Sequence, residues 1–250
     1  MASLNQTPIL STIDLYASFT EIPSGLQLGA LQFGENGKGF RLVKAGASAL
    51  VVGNTLQSSA VDTQFDGLAV AVAAAAGVSQ VTLTNGTTAV TANQFDGGDF
   101  VVSTSSTASA NIGEHYTIVG HGTAISGASL VIYLDRPLRT ALTVATTTVA
   151  IRRSPYSGII QSTGGAATGS PAGVAIYAIP AAAYGWVQTK GTAGVLSDGS
   201  TFAVGSLVGP SVATAGACGV FVAGTARSYI GVSMSAANST HAISVQLTLD

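Results

Sequence analysis

The feature that most constrains this chain of 250 residues is the recurrence of Asn-Gly and Asp-Gly pairs. Both kinds of pair accept the positive φ angles that tight turns require, so each one predicts a turn. Between the pairs lie short runs of Val, Ile, Thr, Leu and aromatic residues, with apolar side chains at every second position. This pattern predicts an all-β protein. The pairs are Asn36-Gly37, Asp66-Gly67, Asn85-Gly86, Asp96-Gly97 and Asp198-Gly199.

The last residues of the chain show the strand pattern most clearly. Ile243, Val245, Leu247 and Leu249 alternate with polar residues, which predicts a strand that is buried on one face only. The run 68–76 is ambiguous, because its alanines favour a helix while its first residues alternate as in a strand. We assign it to a strand.

Changes in composition divide the chain into an arm and two domains. The sequence 154–158 ends a strand-rich stretch, and the Gly-rich segment 161–173 that soon follows is typical of a linker or a long loop. We expect an N-terminal arm and hairpin over 1–45, a β domain over 46–155 and a C-terminal β-barrel or sandwich over 156–250. The predicted fold is therefore two small antiparallel β domains, the C-terminal one barrel-like, with an extended N-terminal arm.

One short motif occurs twice. The segment 63–67 (TQFDG) resembles the segment 93–97 (NQFDG). Two copies do not make a repeat array. We interpret Phe65 and Phe95 as core anchors at strand ends, each followed by an Asp-Gly turn. The alternative is a repeated tip that binds a partner.

The chain is unusually poor in charge. Charged residues make up 8% of it, against roughly 25% in an ordinary globular protein. With a net charge of -2, a surface of Ser, Thr, Asn, Gln and Gly offers little self-repulsion, so the composition favours assembly with identical or partner chains. The 9 Lys and Arg residues are too few for a surface that follows phosphates, which argues against nucleic acid as a partner.

Neither a targeting signal nor a membrane span is predicted. Residues 1–16 lack the basic start and the apolar run of a secretory signal, so we expect synthesis and assembly in a cytoplasm. The most apolar stretch, 68–77, is shorter than the roughly 20 residues that a span requires. The single cysteine, Cys218, adjoins an apolar run, and we interpret it as a buried small residue.

The titratable residues are few enough to examine individually for an active site. Glu114, His115 and His121 share one Gly-bearing segment, but the spacing of the two histidines fits no common metal-binding pattern. We expect His241 to be simply exposed. No nucleophile elbow and no phosphate-binding glycine loop occurs. We therefore predict no catalytic residue, no metal, no cofactor and no enzymatic activity.

The basic residues are candidate docking points. In a chain this poor in charge they could pair with carboxylates on a neighbouring chain, or they could serve only to keep the surface soluble. We assign Trp186, which stands next to a glycine, to a core rather than to a ligand platform. The predicted contact residues are Lys38, Arg41, Lys44, Arg136 and Arg139, with Arg152 and Arg153 as further basic residues of the same kind.

Several short motifs carry a resemblance to a known family. In the C-terminal third they are Tyr184-Gly-Trp-Val-Gln-Thr-Lys-Gly191, Ser197-Asp-Gly199, Val204-Gly-Ser-Leu-Val-Gly209 and Tyr229-Ile-Gly-Val232. This part resembles the small β-barrel modules of the head decoration proteins of tailed phages. Upstream, Asn93-Gln-Phe-Asp-Gly-Gly98, Leu130-Val-Ile-Tyr-Leu-Asp-Arg-Pro137 and Ser154-Pro-Tyr156 are similar to longer structural proteins of tailed phages. The resemblance covers roughly residues 80–250, and the first 45 residues match no family.

The resemblance implies a virion structural protein on the outer surface of an icosahedral capsid. Decoration, or cement, proteins of this kind form homotrimers that clamp neighbouring subunits of the major capsid protein, so that many modest interfaces lock the lattice. The alternative is a trimeric receptor- or glycan-binding module of a phage tail fibre or a surface adhesin. A virion-associated depolymerase is disfavoured, because candidate acids and bases are scarce.

The N-terminal arm is the part that we expect to make the contact. Residues 1–44 are poor in turns and are not required by either predicted core, so they could add a strand to the capsid or to a neighbour. Residues 13–19 fit either one or two helical turns or an extended arm. On this hypothesis, deleting residues 1–35 leaves a folded protein that no longer binds shells.

Overall fold

The computed structural model describes residues 14–105, 111–144, 146–222, 228–237 and 239–250, which form sixteen strands and two short 3₁₀ turns. The predicted all-β class is confirmed. The 3₁₀ turns are Glu35–Gly37 and Thr63–Phe65. The strands are β1 (Leu31–Phe33), β2 (Gly39–Ala45), β3 (Thr55–Gln57), β4 (Leu68–Val72), β5 (Gln80–Thr84), β6 (Asp99–Thr104), β7 (His115–His121), β8 (Ser129–Leu134), β9 (Thr148–Arg152), β10 (Ser157–Gln161), β11 (Pro171–Ala175), β12 (Tyr184–Leu196), β13 (Leu207–Pro210), β14 (Cys218–Val220), β15 (Gly231–Ser233) and β16 (Ala242–Thr248).

The first barrel is a closed ring of the strands β2, β10, β3, β11 and β12, because β12 pairs with β2 as well as with β11. Four of its five pairings are antiparallel, as predicted, but β10 runs parallel to β2. Val43, Leu56, Ile159 and Val187 are fully buried in its core. A parallel neighbour requires a long crossover connection, which the chain between β2 and β10 provides.

A second barrel is inserted between β3 and β10. Its six strands pair antiparallel in the closed order β4-β5-β8-β7-β6-β9. Leu83, Ile118 and Ile132 lie in its single hydrophobic core. The ambiguous run contributes β4, in which Leu68 and Val70 are buried, so the assignment to a strand is confirmed over 68–72.

The 13-residue strand β12 belongs to two sheets. Its first half closes the first barrel, and its second half pairs with β16 to begin a third sheet in the order β12-β16-β15-β13-β14. An isolated β-bridge between Ser197, which directly follows β12, and Cys218 in β14 connects the last strand of this sheet to the end of its first strand. In β16, Ile243, Val245 and Leu247 are buried and the residues between them are exposed, which confirms the predicted half-buried strand.

These pairings group the chain differently from the predicted domain boundaries. The second barrel ends with β9, close to the boundary expected at residue 155. The strands β2 and β3 precede that barrel in sequence, yet they pair with β10, β11 and β12, which follow it. The predicted boundaries assume that neighbours in sequence are neighbours in space, which is the usual arrangement but not this one.

Residues 14–34 lie against the first barrel of their own chain. Phe19 and Leu26 pack on a buried cluster that includes Trp186, and the backbone of Phe19 forms a bridge with β12. The expectation that the arm is dispensable for the cores is therefore wrong for this part, since its removal would uncover large apolar side chains. Residues 1–13 of the predicted arm lie outside the described residues.

Four of the five predicted turns contain a glycine with positive φ, and these glycines are Gly37, Gly67, Gly97 and Gly199. Among the described strands, only the Asn36-Gly37 turn joins two strands that pair with each other, β1 and β2. Gly86 has a different reason to be glycine. A Cβ atom at that position would lie 3.0 Å from the carbonyl oxygen of Gln64, so the missing side chain permits a close approach.

Candidate functional site

The two QFDG motifs meet inside the second barrel. The rings of Phe65 and Phe95 are buried and contact each other edge to face, with centroids 4.8 Å apart. Gly67 and Gly97 adopt positive φ in the turns that follow. The interpretation of both phenylalanines as core anchors is confirmed. Their burial favours this interpretation over a repeated partner-binding tip.

His121 holds one of these motifs in place. Its Nε2 accepts a hydrogen bond from the backbone N–H of Phe95 at 2.9 Å, and its Nδ1 donates to the carbonyl oxygen of Gly122 at 2.8 Å. Both ring nitrogens of this buried side chain are therefore hydrogen-bonded to the backbone. His115 lies at the other end of β7, roughly 20 Å away along an extended strand. The two histidines therefore cannot share a metal ion, and no cluster of three metal-binding side chains exists within the described ranges.

Glu114 and His115 line a pocket of about 370 Å³ with Tyr116, Arg136 and Arg139. The hydroxyl of Tyr116 donates to Glu114 at 2.6 Å and accepts from the backbone N–H of Arg139 at 2.9 Å. Burial raises the pKa of Tyr116, and the bond to Glu114 acts in the same direction, so this hydroxyl remains a donor at neutral pH. This network joins the turn before β7 to the loop after β8. Because Glu114 takes part in it, we assign a structural role to this carboxylate.

The two arginines form the solvent-facing part of this pocket. The guanidinium of Arg136 lies 5.0 Å from the centre of the Tyr116 ring, and it pairs with Asp135 at 3.3 Å. The side chain of Arg139 is exposed. The structure thus brings Arg136 and Arg139 to one exposed rim. Their contact with a partner chain stays a prediction.

Arg41 forms an internal clamp. Its Nε donates to both carboxylate oxygens of Asp250, at 2.9 and 3.0 Å, and its Nη1 donates to the carbonyl oxygen of Gly29 at 2.8 Å. Burial alone would raise the pKa of Asp250, but the hydrogen bonds from Arg41 and Thr189 and the charge of Arg41 lower it below its usual range. The donors of Arg41 are thus engaged within the chain, and its contact with a partner stays a prediction.

The two lysines predicted as contacts flank the same hairpin. Lys38 directly follows the Asn36-Gly37 turn between β1 and β2. Lys44 lies at the other end of β2, with its Nζ 5.2 Å from the centre of the Tyr184 ring. Both side chains are half-buried, and the ring of Tyr184 attracts the ammonium of Lys44. Their contact with a partner chain stays a prediction.

Three further predicted side chains can be placed. Trp186 is fully buried, which confirms its assignment to a core. Cys218 is fully buried as well, and burial raises the pKa of its thiol to about 12, so it is an inert small residue at neutral pH. His241 is exposed, as predicted, and its Nδ1 lies 2.8 Å from the hydroxyl of Ser239.

A larger cleft, of about 650 Å³, lies between the first and second barrels. Residues 58–63, which follow β3, form one wall, and residues 151–155, which lead from β9 to β10, form the other. Phe65, Phe95, Asp99 and Ser170 complete its lining. The sequence predicted Arg152 and Arg153 as docking residues but not the cleft, because its walls are distant in the chain and meet only through the insertion.

No helix in the described part of the chain is long and apolar enough to span a membrane. No protein-family model, curated protein or solved structure matches this chain. The resemblance to head decoration proteins therefore depends on its short motifs alone and stays a prediction.

Proposed function

We propose that this protein decorates the outer surface of an icosahedral phage capsid and stabilises it by binding the major capsid protein as a homotrimer. The proposal combines the motif resemblance with the composition and with one structural feature. That feature is the open edge of β1, which is the observation that carries the proposal.

Strand β1 pairs with β2 and with no other strand of the described residues. Its alternating side chains Leu31 and Phe33 are 40% and 56% exposed. An edge strand with exposed apolar side chains is the surface to which a strand of another chain adds, because the main chain supplies hydrogen bonds and the side chains supply apolar contact. Leu15 lies beside this edge, since a Cβ atom on Gly34 would be 3.4 Å from its Cδ1.

Ion pairing within the chain supports the same proposal. Arg41 pairs with Asp250, Arg152 with Asp66 and Arg136 with Asp135. The scarce charges are thus partly neutralised internally, and little charge is left to repel an adjacent copy. Such a surface suits the crowded lattice of a shell, where each subunit contacts several others.

The copy number of the chain in purified particles tests the proposal. Quantitative mass spectrometry would compare this chain with the major capsid protein from the same particles. A one-to-one ratio, or another simple lattice fraction, supports decoration. A few copies per particle would contradict it and favour the tail-fibre alternative, and absence from particles would overturn both.

A second experiment addresses the edge of β1. The double variant Leu31→Glu and Phe33→Glu places negative charge along this edge, and we expect it to bind shells at least about tenfold more weakly. Val52→Glu is the matched control, because Val52 is 58% exposed and lies outside β1. Equal shell binding by the double variant and the control, with unchanged circular dichroism, would show that the edge is not the contact.

A further inference from the structure

The cleft between the first and second barrels is large enough to hold a ligand. Its volume of about 650 Å³ lies within the usual range of ligand pockets, roughly 300–1,000 Å³. Its charged lining residues are Asp62, Asp99, Arg152 and Arg153. Whether it attracts a cation or an anion depends on which of these charges are already engaged.

Both acidic residues are engaged within the protein. Asp62 accepts hydrogen bonds from the backbone N–H of Gln64 at 3.2 Å and from its side-chain amide at 2.9 Å. Asp99 pairs with Nε2 of His115 at 2.7 Å. Both carboxylates therefore already accept hydrogen bonds within the chain, while they keep their negative charge.

The two arginines retain unused donors. Arg152 pairs with Asp66 through Nη2, while its Nη1 is buried and has no hydrogen-bond acceptor within the described residues. A buried guanidinium nitrogen without an acceptor is costly, so an acceptor bound beside Nη1 would stabilise it. Arg153 is exposed, and none of the ion pairs of the described chain includes it.

Serine hydroxyls stand around these arginines. Ser59 and Arg153 meet above Gly158, since a Cβ atom on Gly158 would lie 3.6 Å from the Cβ of Ser59 and 3.9 Å from Nη1 of Arg153. The hydroxyl oxygens of Ser58 and Ser154 accept backbone hydrogen bonds, from Ser170 at 3.0 Å and from Tyr156 at 3.4 Å. Each of these hydroxyls keeps its own hydrogen to donate. These three serines line the cleft together with both arginines.

We propose that this cleft binds a carboxylate. The planar donor fork of an arginine matches the two oxygens of a carboxylate, and the serine hydroxyls complete the set of donors. A single negative charge fits better than the double charge of a phosphate, because Asp62 and Asp99 also face the cleft. The carboxylate comes from an acidic side chain of a partner chain or from a free small molecule. This inference goes beyond the proposed function and does not depend on it.

Peptide titration of the whole protein tests the site. The probes are N-acetyl-Gly-Glu-Gly-amide, its Gln counterpart and acetate, added at low ionic strength. Binding is followed by the amide shifts of Ser59 and Arg153 in nitrogen–proton correlation spectra. We expect the Glu peptide to shift both resonances and the Gln peptide to leave them unchanged. A response to acetate as well identifies a free carboxylate as sufficient, whereas a response to the peptide alone identifies a partner side chain.

Charge-neutralising variants separate this site from general electrostatic attraction. Arg153→Gln should weaken binding of the Glu peptide about tenfold or more, since it removes a charge-assisted pair at an exposed position that the fold does not need. Lys190→Gln is the matched control, because Lys190 is exposed and lies outside the cleft. Absence of any shift, unchanged binding by Arg153→Gln or an equal loss with Lys190→Gln would each overturn the proposal.

Discussion

Replacing Phe65 and Phe95 by alanine, separately and together, would measure how strongly the two QFDG motifs hold the second barrel together. Both rings are buried, and they touch edge to face at 4.8 Å between centroids. Each substitution removes a buried ring and leaves a cavity in the same core. The two effects are therefore large and coupled.

The expected magnitudes follow from this geometry. Each single variant should lower the free energy of unfolding by about 3–5 kcal/mol, the usual loss for a buried phenylalanine. An edge-to-face pair contributes about 0.5–1.5 kcal/mol beyond its burial. Both single variants lose this term, so the double variant should lose about 1 kcal/mol less than the sum of the two.

Urea unfolding of the full chain, followed by methyl resonances, would report on each barrel separately. Ile118 and Ile132 are buried in the second barrel, and Ile159 and Ile179 in the first. With a slope of about 1.5 kcal/mol per molar urea, the midpoint for the second barrel should fall by about 2–3 M.

Phe33→Ala is the matched control for this measurement, because Phe33 is exposed, and it should change stability by less than about 0.5 kcal/mol. If the alanine variants are unfolded without urea, the corresponding leucine variants keep the cycle measurable. Losses below about 1 kcal/mol for both single variants, or strict additivity in the double variant, would refute the assignment of the motifs to one core.

Three further predictions concern the ends of the chain and its thiol. Asp250→Asn should lower the free energy of unfolding by about 1.5–3 kcal/mol at pH 7, and the difference from the unaltered chain should shrink below about pH 4. The reason is that a carboxylate whose pKa is lowered in the folded state stabilises the fold above its unfolded pKa, and this contribution is lost as the group protonates. Urea unfolding at several pH values measures the difference. Cys218 should resist Ellman's reagent at pH 8 until urea unfolds the protein, and rapid labelling of the native form would contradict its burial. Deleting residues 1–30 should shift the emission of Trp186 to longer wavelength, and a spectrum equal to that of the full chain would contradict the observed packing of Phe19 and Leu26.

The candidate sites could be predicted only where their residues are close in the chain. Arg136 and Arg139, both named as candidate contacts, are three residues apart, and the structure places them on one pocket rim. Arg41 was predicted as a docking group, but its partner Asp250 is 209 residues away, and no local pattern signals that pair. The cleft could not be predicted for the same reason, because Ser59 precedes the inserted barrel in sequence and Arg153 follows it.

The sequence by itself determined the all-β class, most of the turns and the buried face of the last strand. These properties depend on adjacent residues, because glycine permits positive φ and a strand alternates its side chains with a period of two. Only the tertiary structure decided that β2 and β3 pair across an inserted barrel, that β12 serves two sheets and that residues 14–34 cover Trp186. The hydrophobic effect is non-directional, so a strand with one apolar face can bury that face against many different partners. Which partner it takes is decided by the close packing of the whole chain.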